Sequence, residues 1–366
     1  MRTTTIGAIA LTSAIVFFFS CSRDSISLQY TNAKDEVPQL GNLVFHFSKP
    51  LVNDSMLNKW DSTEYVSFEP KIPGRFRWEN TNELVFSPSR PLLPATDYTA
   101  KLKNDVLQYS KFNGIEKSEK ITFHTPDLKL DNSHVSWVLP DEQSKNAVPQ
   151  IDLYFNYPVN PNHLKERLHL KVEGNESDYS IITASNDSKV TVRLASLKVE
   201  DKDYQTDIKI EKGLKPEGGS NGTDEPIESR TGIPSPFVLQ INDVQSEHDG
   251  STGLVYVKTS QQVNQDNLKS FIKFYPAIKF SVEATDDGFM LSSDNFDVEK
   301  TYDLTISQGL RGRIGGILRE EQMNQVAFGE LQPSISFSNS KATYLSAQGA
   351  RNIEMRITNV PKIKII

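Results

Sequence analysis

A strand entered through a tyrosine recurs three times in this chain, and the spacing of the three copies constrains the fold more than any other feature. The first copy runs from Leu84 to Leu102. Leu84-Val85-Phe86 reads as one strand, Pro88, Pro91 and Pro94 punctuate a turn, and Tyr98, Ala100 and Leu102 alternate with polar residues in a second strand. A period of two marks a half-buried strand. The prolines lack backbone donors and fix φ, so the crossing between the strands is a loop. The second copy has Tyr204 leading into Thr206, Ile208 and Ile210, and the third has Tyr302 leading into Leu304 and Ile306. Tyr98, Tyr204 and Tyr302 lie about a hundred residues apart, too far for a solenoid repeat and right for one immunoglobulin-sized sandwich each. In such sandwiches a corner tyrosine buries its ring while its hydroxyl ties down the incoming loop. That structural role is assigned to all three.

The fold class expected is all-β: tandem immunoglobulin-like β-sandwiches, three complete and a truncated fourth. Residues 1–21 read as a signal segment, 22–35 as a polar tether, 36–127, 139–236 and 237–331 as the three sandwiches, and 333–366 as the start of a further β domain. Leu43 to Phe47, Ile151 to Phe155 and Phe237 to Ile241 are matching strands near the start of each repeat. Pro216 to Pro236 is rich in Gly, Ser, Pro and Asp without periodicity, which predicts a long surface loop. Leu318 to Met323 is the one stretch suited to a short helix, the alternative being an extended loop. Residues 333–366 are too few to close a sandwich, so the sequence is expected to be a fragment of a longer protein.

Net charge is −7 and no basic stripe is present, so a nucleic-acid partner is not expected. The single cysteine, Cys21, follows Arg2 and an apolar run from Ile6 to Phe19. That run is short for a membrane span and suited to a signal-peptide core. The mature chain then has no cysteine, which excludes disulfides, thiolate zinc sites and cysteine nucleophiles from it.

No catalytic, cofactor or metal site is expected. The histidines are scattered, and His163 and His169, six apart on a β background, fit no usual zinc spacing. Asp201/Asp203 and Asp286/Asp287 sit in turns, where solvated carboxylates are ordinary. Trp60, Trp78 and Trp137 can be read as a sugar-stacking platform, although Trp78 alternates with Phe76 as a core residue would. Asp24-Ser25-Ile26, Asp54-Ser55-Met56 and Asp61-Ser62-Thr63 resemble the Asp-Ser/Thr-apolar acceptor of O-glycosylation in Bacteroidota.

Two further resemblances carry a function. The junction Phe18-Phe19-Ser20-Cys21 resembles the lipobox of bacterial lipoproteins, with phenylalanines where leucine and a small residue are usual. It implies lipidation at Cys21, a lipid anchor to the bacterial membrane and a place in the cell envelope, at the outer membrane facing the periplasm or cell surface. Phe47-Ser48-Lys49-Pro50-Leu51, Phe68-Glu69-Pro70 and Pro91-Leu92-Leu93-Pro94-Ala95-Thr96-Asp97-Tyr98 are similar to the bacterial Ig-like domains of the surface-layer type. Three such repeats behind Cys21, followed by Ile335-Ser-Phe337, Tyr344-Leu345 and Ile357-Thr-Asn359-Val360, look like the N-terminal region of a bacterial alpha-2-macroglobulin. That resemblance implies a non-enzymatic segment of a protease trap, monomeric, with no cofactor and with proteases met by regions further along. The family's thioester cysteine has no counterpart here. The alternative is a surface adhesin or glycan-binding lipoprotein.

Overall fold

The computed structural model describes residues 25–116, 120–141, 144, 146–195 and 197–329, together with the backbone of Ser334–Phe337 and Met355–Thr358. Cys21, the signal segment and most of residues 333–366 lie outside the described residues.

Three apolar cores organise the chain, and each is enclosed by two sheets. In the first repeat Leu28–Thr31, Leu43–Phe47, Glu83–Pro88, Gly74–Asn80 and Trp60–Asp61 form one sheet in that spatial order. Asp35–Glu36, Ile121–His124, Asp97–Leu102 and Val66–Glu69 form the other. The second repeat pairs Leu130–Val138, Val148–Val159, Asp187–Leu194 and Tyr179–Ile181 over Asn175–Glu176, Leu168–Val172, Tyr204–Ile210 and Ile227–Ile233. The third repeat pairs Ile241–His248, Gly253–Thr259, Gly288–Ser293 and Ser281–Thr285 over Ile272–Tyr275, Thr301–Ile306 and Gln322–Ala327. The architecture is that of tandem immunoglobulin-like sandwiches. Alternation builds the cores: Leu43, Phe45 and Phe47 point inward from one strand, and Ile151, Leu153 and Phe155 from its counterpart.

Each tyrosine strand occupies the same place in its sheet, between one earlier and one later strand. That equivalence corrects several expectations. Ile227–Ile233 and Gln322–Ala327 are counterparts of Ile121–His124, so the expected loop over 216–236 contains a full strand and no helix forms over 318–323. The proposed tether is also overturned. Ser25–Ile26 pairs in parallel with Gly114–Ile115, Leu28–Thr31 pairs with Leu43–Phe47, and Ile26 and Ala33 are buried in the first core. Likewise the second sandwich starts earlier than 139, since Leu130–Val138 is its first strand. In the third repeat only Val238 makes an isolated bridge within the expected strand 237–241, and the strand itself is Ile241–His248.

The one α-helix among the described residues, Pro161–Lys165, has its cap written in the sequence. The Asn160 side chain accepts from the backbone N–H groups of Asn162 and His163, and Pro161 takes the first helical position, where its missing N–H costs nothing. Ser334–Phe337 pairs with Met355–Thr358 as an antiparallel pair beyond the third sandwich.

The chain divides into two compact units, one ending at Pro126 and one beginning at Asp127. The second and third sandwiches therefore share a unit, and the first has one to itself.

Candidate functional site: a buried polar joint

The outer face of a sandwich sheet ordinarily meets water, and its side chains are polar for that reason. One such face here is polar and yet buried. Along Leu130–Val138 the residues His134 and Ser136 point away from the second core, as do Gln150, Asp152 and Tyr154 along Val148–Val159. His134 is 6% exposed, Ser136 2% and Asp152 1%. What covers them is the third sandwich.

Backbone and side chains both cross this joint. The Trp137 backbone N–H donates to Ser260 O at 2.7 Å, and its indole Nε1 donates to Pro234 O at 2.7 Å. Asn242 Nδ2 donates to Val135 O at 3.2 Å and lies 3.4 Å from His134 Nδ1. Thr259, Ser260 and Gln261 are fully buried although all three are polar. Gln261 is satisfied on both sides of its amide, donating from Nε2 to Pro236 O at 2.6 Å and accepting at Oε1 from Gly316 N at 3.1 Å. The loop it holds can approach because Gly312 and Gly316 have no side chain; a Cβ at either would overlap the Gln261 amide. Beyond them, Ile314 packs against the core of the second sandwich.

Asp152 is the charge at the centre. It faces His134 across one strand pair and Thr191 across the next. Thr191 Oγ1 donates to its Oδ1 at 2.8 Å, and Lys189 Nζ stands 2.8 Å from its Oδ2. A carboxylate so buried persists only with partners of this kind. Burial works against the Lys189 ammonium, yet the Asp152 bond outweighs it and the lysine pKa is raised. Lys258, from the third sandwich, places Nζ 3.3 Å from Tyr154 Oη and 4.5 Å from the ring centre. Burial pushes the His134 pKa down, opposed first by Asp152.

The two acidic pairs expected to be idle in turns belong partly to this joint. Ser235, at the crossover between sandwiches, donates from Oγ to Asp201 and from its backbone N–H to Asp203, both at 2.7 Å. Asp201 also meets Arg319 of the third sandwich at 3.3 Å. Asp286 accepts from Gln262 at 3.2 Å, and the Asp287 backbone carbonyl accepts from Thr259 N at 2.8 Å.

Tyr98, Tyr204 and Tyr302 are 3%, 4% and 2% exposed. The Tyr98 hydroxyl accepts from Leu93 N and the Tyr302 hydroxyl from Asp297 N, each at 2.9 Å. The Tyr204 hydroxyl donates instead to Lys198 O at 2.6 Å. Trp78 and Trp137 are buried at 2% and 0%, so the three tryptophans form no common platform. Trp60 is 47% exposed, with the Arg77 guanidinium 4.7 Å over its ring. Of the three Asp-Ser/Thr segments, Ser25 is buried in the first sandwich, Asp24 lies outside the described residues, and Ser55 donates to Asn53 on the surface. Among the described residues no group of three or more His, Cys, Asp or Glu is placed to hold a metal ion. An open concavity of about 660 Å³ on the second sandwich is lined by His169, Lys171, Asp207, Lys209 and Arg230, where Lys171 pairs with Glu176 and Arg230 with Asp207.

The joint was not legible beforehand because its residues are polar and the sequence pattern assigns such residues to solvent. One signal was present: the uninterrupted polar run Thr259-Ser260-Gln261-Gln262 directly after an apolar strand, together with the glycines of 312–316.

Comparison with known proteins matches residues 26–125 to the bacterial Ig-like domain. Alpha-2-macroglobulin of Pasteurella multocida (strain Pm70) is 21% identical over 273 residues, covering 70% of this chain and 14% of that protein. Alpha-2-macroglobulin of Rickettsia conorii (strain ATCC VR-613 / Malish 7) is 26% identical over 165 residues, covering 44% of this chain and 8% of that protein. The chain thus spans a small part of the length of these relatives. Among solved structures, an L,D-transpeptidase from Mycobacterium tuberculosis H37Rv aligns with a TM-score of 0.20 and 13% identity, over 46% of this chain and 76% of that one, too distant to bear on fold or function. The first sandwich is a bacterial Ig-like domain, and the chain is consistent with an N-terminal region of the alpha-2-macroglobulin family.

Proposed function

We propose that this chain is the non-enzymatic N-terminal segment of a membrane-anchored, alpha-2-macroglobulin-like protease trap, anchored through a lipid on Cys21 and acting as a spacer between lipid and trap. The observation that carries the reading is the extent of the similarity. An alignment of 273 residues to the Pasteurella multocida protein runs far past the single domain matched at 26–125, so the similarity extends beyond the first sandwich. The joint supports a spacer in physical terms, because polar groups buried in fixed hydrogen bonds hold two sandwiches in one geometry. Of the three tryptophans of the glycan-binding alternative, Trp60 alone is exposed.

Anchoring is the step most open to test. In cells expressing the chain, Cys21→Ala is expected to abolish globomycin-sensitive processing and to move the protein from the detergent phase to the soluble or unprocessed fraction. Unchanged membrane fractionation of the mutant would remove the anchor from the proposal. Absence of macroglobulin-like repeats in the same reading frame beyond Ile366 would remove the trap.

A further inference from the structure

His134 is the buried histidine of the joint among the described residues, and its Nδ1 contact with Asn242 suits the neutral ring, while its buried Nε2 has no hydrogen-bond partner among the described residues. It is 6% exposed and sits on the sheet face that the third sandwich covers. Its Nδ1 faces Asn242 Nδ2, an amide nitrogen that can only donate, so Nδ1 acts as the acceptor and the ring proton belongs on Nε2. The same Asn242 nitrogen donates to Val135 O. Asn242 therefore reaches from the third sandwich to two acceptors on the second.

We propose that this contact is a proton-operated latch: the second and third sandwiches stay docked while His134 is neutral, and protonation of its ring loosens the joint. A proton on Nδ1 would set two donors against each other across the contact. Turning the Asn242 amide over does not repair it, because Oδ1 would then face Val135 O. Each orientation of the amide leaves one mismatch in a site closed to water, where an unsatisfied group is costly.

The charges facing the ring oppose one another. Asp152 from the neighbouring strand and Asp287 from the turn before Gly288 favour the protonated ring, whereas Lys258 across the joint and Lys189 on the next strand oppose it. Burial then decides, and the pKa lies below its ordinary value of 6.5. The sign follows from linkage. Between the lowered folded value and 6.5 the undocked state holds a proton that the docked state does not, so docking is complete above 6.5 and weakens as pH falls through that interval.

The test is amide hydrogen exchange on the full chain with the backbone N–H of Trp137 as reporter, since its bond to Ser260 O crosses the joint. Its protection factor is expected to fall between pH 7.5 and 5, by up to about tenfold for each unit by which the His134 pKa lies below 6.5. The Phe45 amide, in the first core, should keep its protection. His134→Gln, which cannot charge, should flatten the Trp137 profile, and His169→Gln on an exposed strand position should not. Should His134→Gln fail to fold, NMR titration of the wild-type ring decides the matter directly. A ring that titrates at 6.5 or above would overturn the latch, as would a pH profile at Trp137 that survives His134→Gln.

Discussion

The first sandwich and the fused pair that follows it solve the same problem differently. The first gathers Phe45, Phe47, Tyr65, Phe68, Phe76, Trp78, Phe86, Tyr98 and Phe123 into one core. Most of its ring pairs meet edge-on or tilted, as Tyr65 does with Phe76 at 5.5 Å and with Trp78 at 5.8 Å, while Tyr98 stacks on Phe123 at 5.2 Å. Such pairs add about 0.5–1.5 kcal/mol each beyond the area they bury. The core of the second sandwich is mostly Ile, Leu and Val, with Trp137, Phe155, Tyr157 and Tyr204 as its aromatics. It also admits Ile314 from its neighbour and hides a polar sheet face beneath it. The lesson is that similar topologies divide their stabilisation differently. One sandwich completes its core alone, and the other draws part of its burial from the next domain.

The sharpest way to break this comparison is to remove one corner ring from each region. Tyr98→Ala and Tyr204→Ala should each cost about 3–5 kcal/mol, as other large core truncations do. The consequences should differ. Calorimetry of Tyr98→Ala should show one early transition for the first sandwich and an unchanged remainder, because that sandwich is a unit of its own. Tyr204→Ala should lower a single transition shared by the second and third sandwiches. If the third sandwich keeps its wild-type melting temperature in Tyr204→Ala, the joint does not couple the two cores.

Much of this division could be read from the sequence, and what could not has a common cause. Apolar alternation is plain along the inner strands, and Tyr98, Tyr204 and Tyr302 each lie near the start of the strand between an earlier and a later one. The first strand of every sandwich escaped, and so did the last strand of the second and third. Leu28–Thr31, Leu130–Val138 and Ile241–His248 read LQYT, LDNSHVSWV and INDVQSEH. Ile227–Ile233 and Gln322–Ala327 read IESRTGI and QMNQVA. These strands close a sheet through backbone hydrogen bonds at its edge, so few of their side chains need be apolar, and periodicity has little to report. The joint was hidden for a related reason. Its polar side chains are satisfied by backbone carbonyls about a hundred residues away in sequence, as Asn242 is by Val135 O and Trp137 by Pro234 O. Apart from the polar run at 259–262 and the glycines of 312–316, no local pattern marks these polar residues as buried. Separate apolar cores alone would leave the second and third sandwiches independent, and the polar layer between them couples the two.

A smaller effect should sharpen the comparison by acting on the joint itself. Gly316→Ala places a methyl against the Gln261 amide, which cannot withdraw without giving up its bonds to Pro236 O and to Gly316 N. Overpacking of this kind costs about 1–3 kcal/mol. Because the strain falls between the sandwiches rather than within either core, the shared transition should separate into two. Gly114→Ala is the matched control in the first sandwich, where a methyl would meet open space, and it should stay within about 0.5 kcal/mol of wild type. Equal shifts for the two alanines would place the sensitivity outside the Gln261 contact.

The smallest expected effect separates buried polar contacts from the exposed ion pair at the same boundary. Arg319 and Asp201 meet at 3.3 Å, but both side chains are more than half exposed, at 59% and 58%. Water and salt screen a pair in that position, and ordering two long side chains offsets what attraction remains. Asp201 has its pKa lowered first by the Ser235 hydroxyl, with Arg319 contributing less. The carboxylate is therefore held in place whether or not the arginine is present. Arg319→Ala should leave the shared transition of the second and third sandwiches single and at its wild-type temperature, and raising the salt to 1 M should do the same. The buried bonds of Trp137, Asn242 and Gln261 are shielded from both changes. A shared transition that splits in Arg319→Ala or in high salt would mean that charge on the surface, rather than the polar layer beneath it, holds the two sandwiches together.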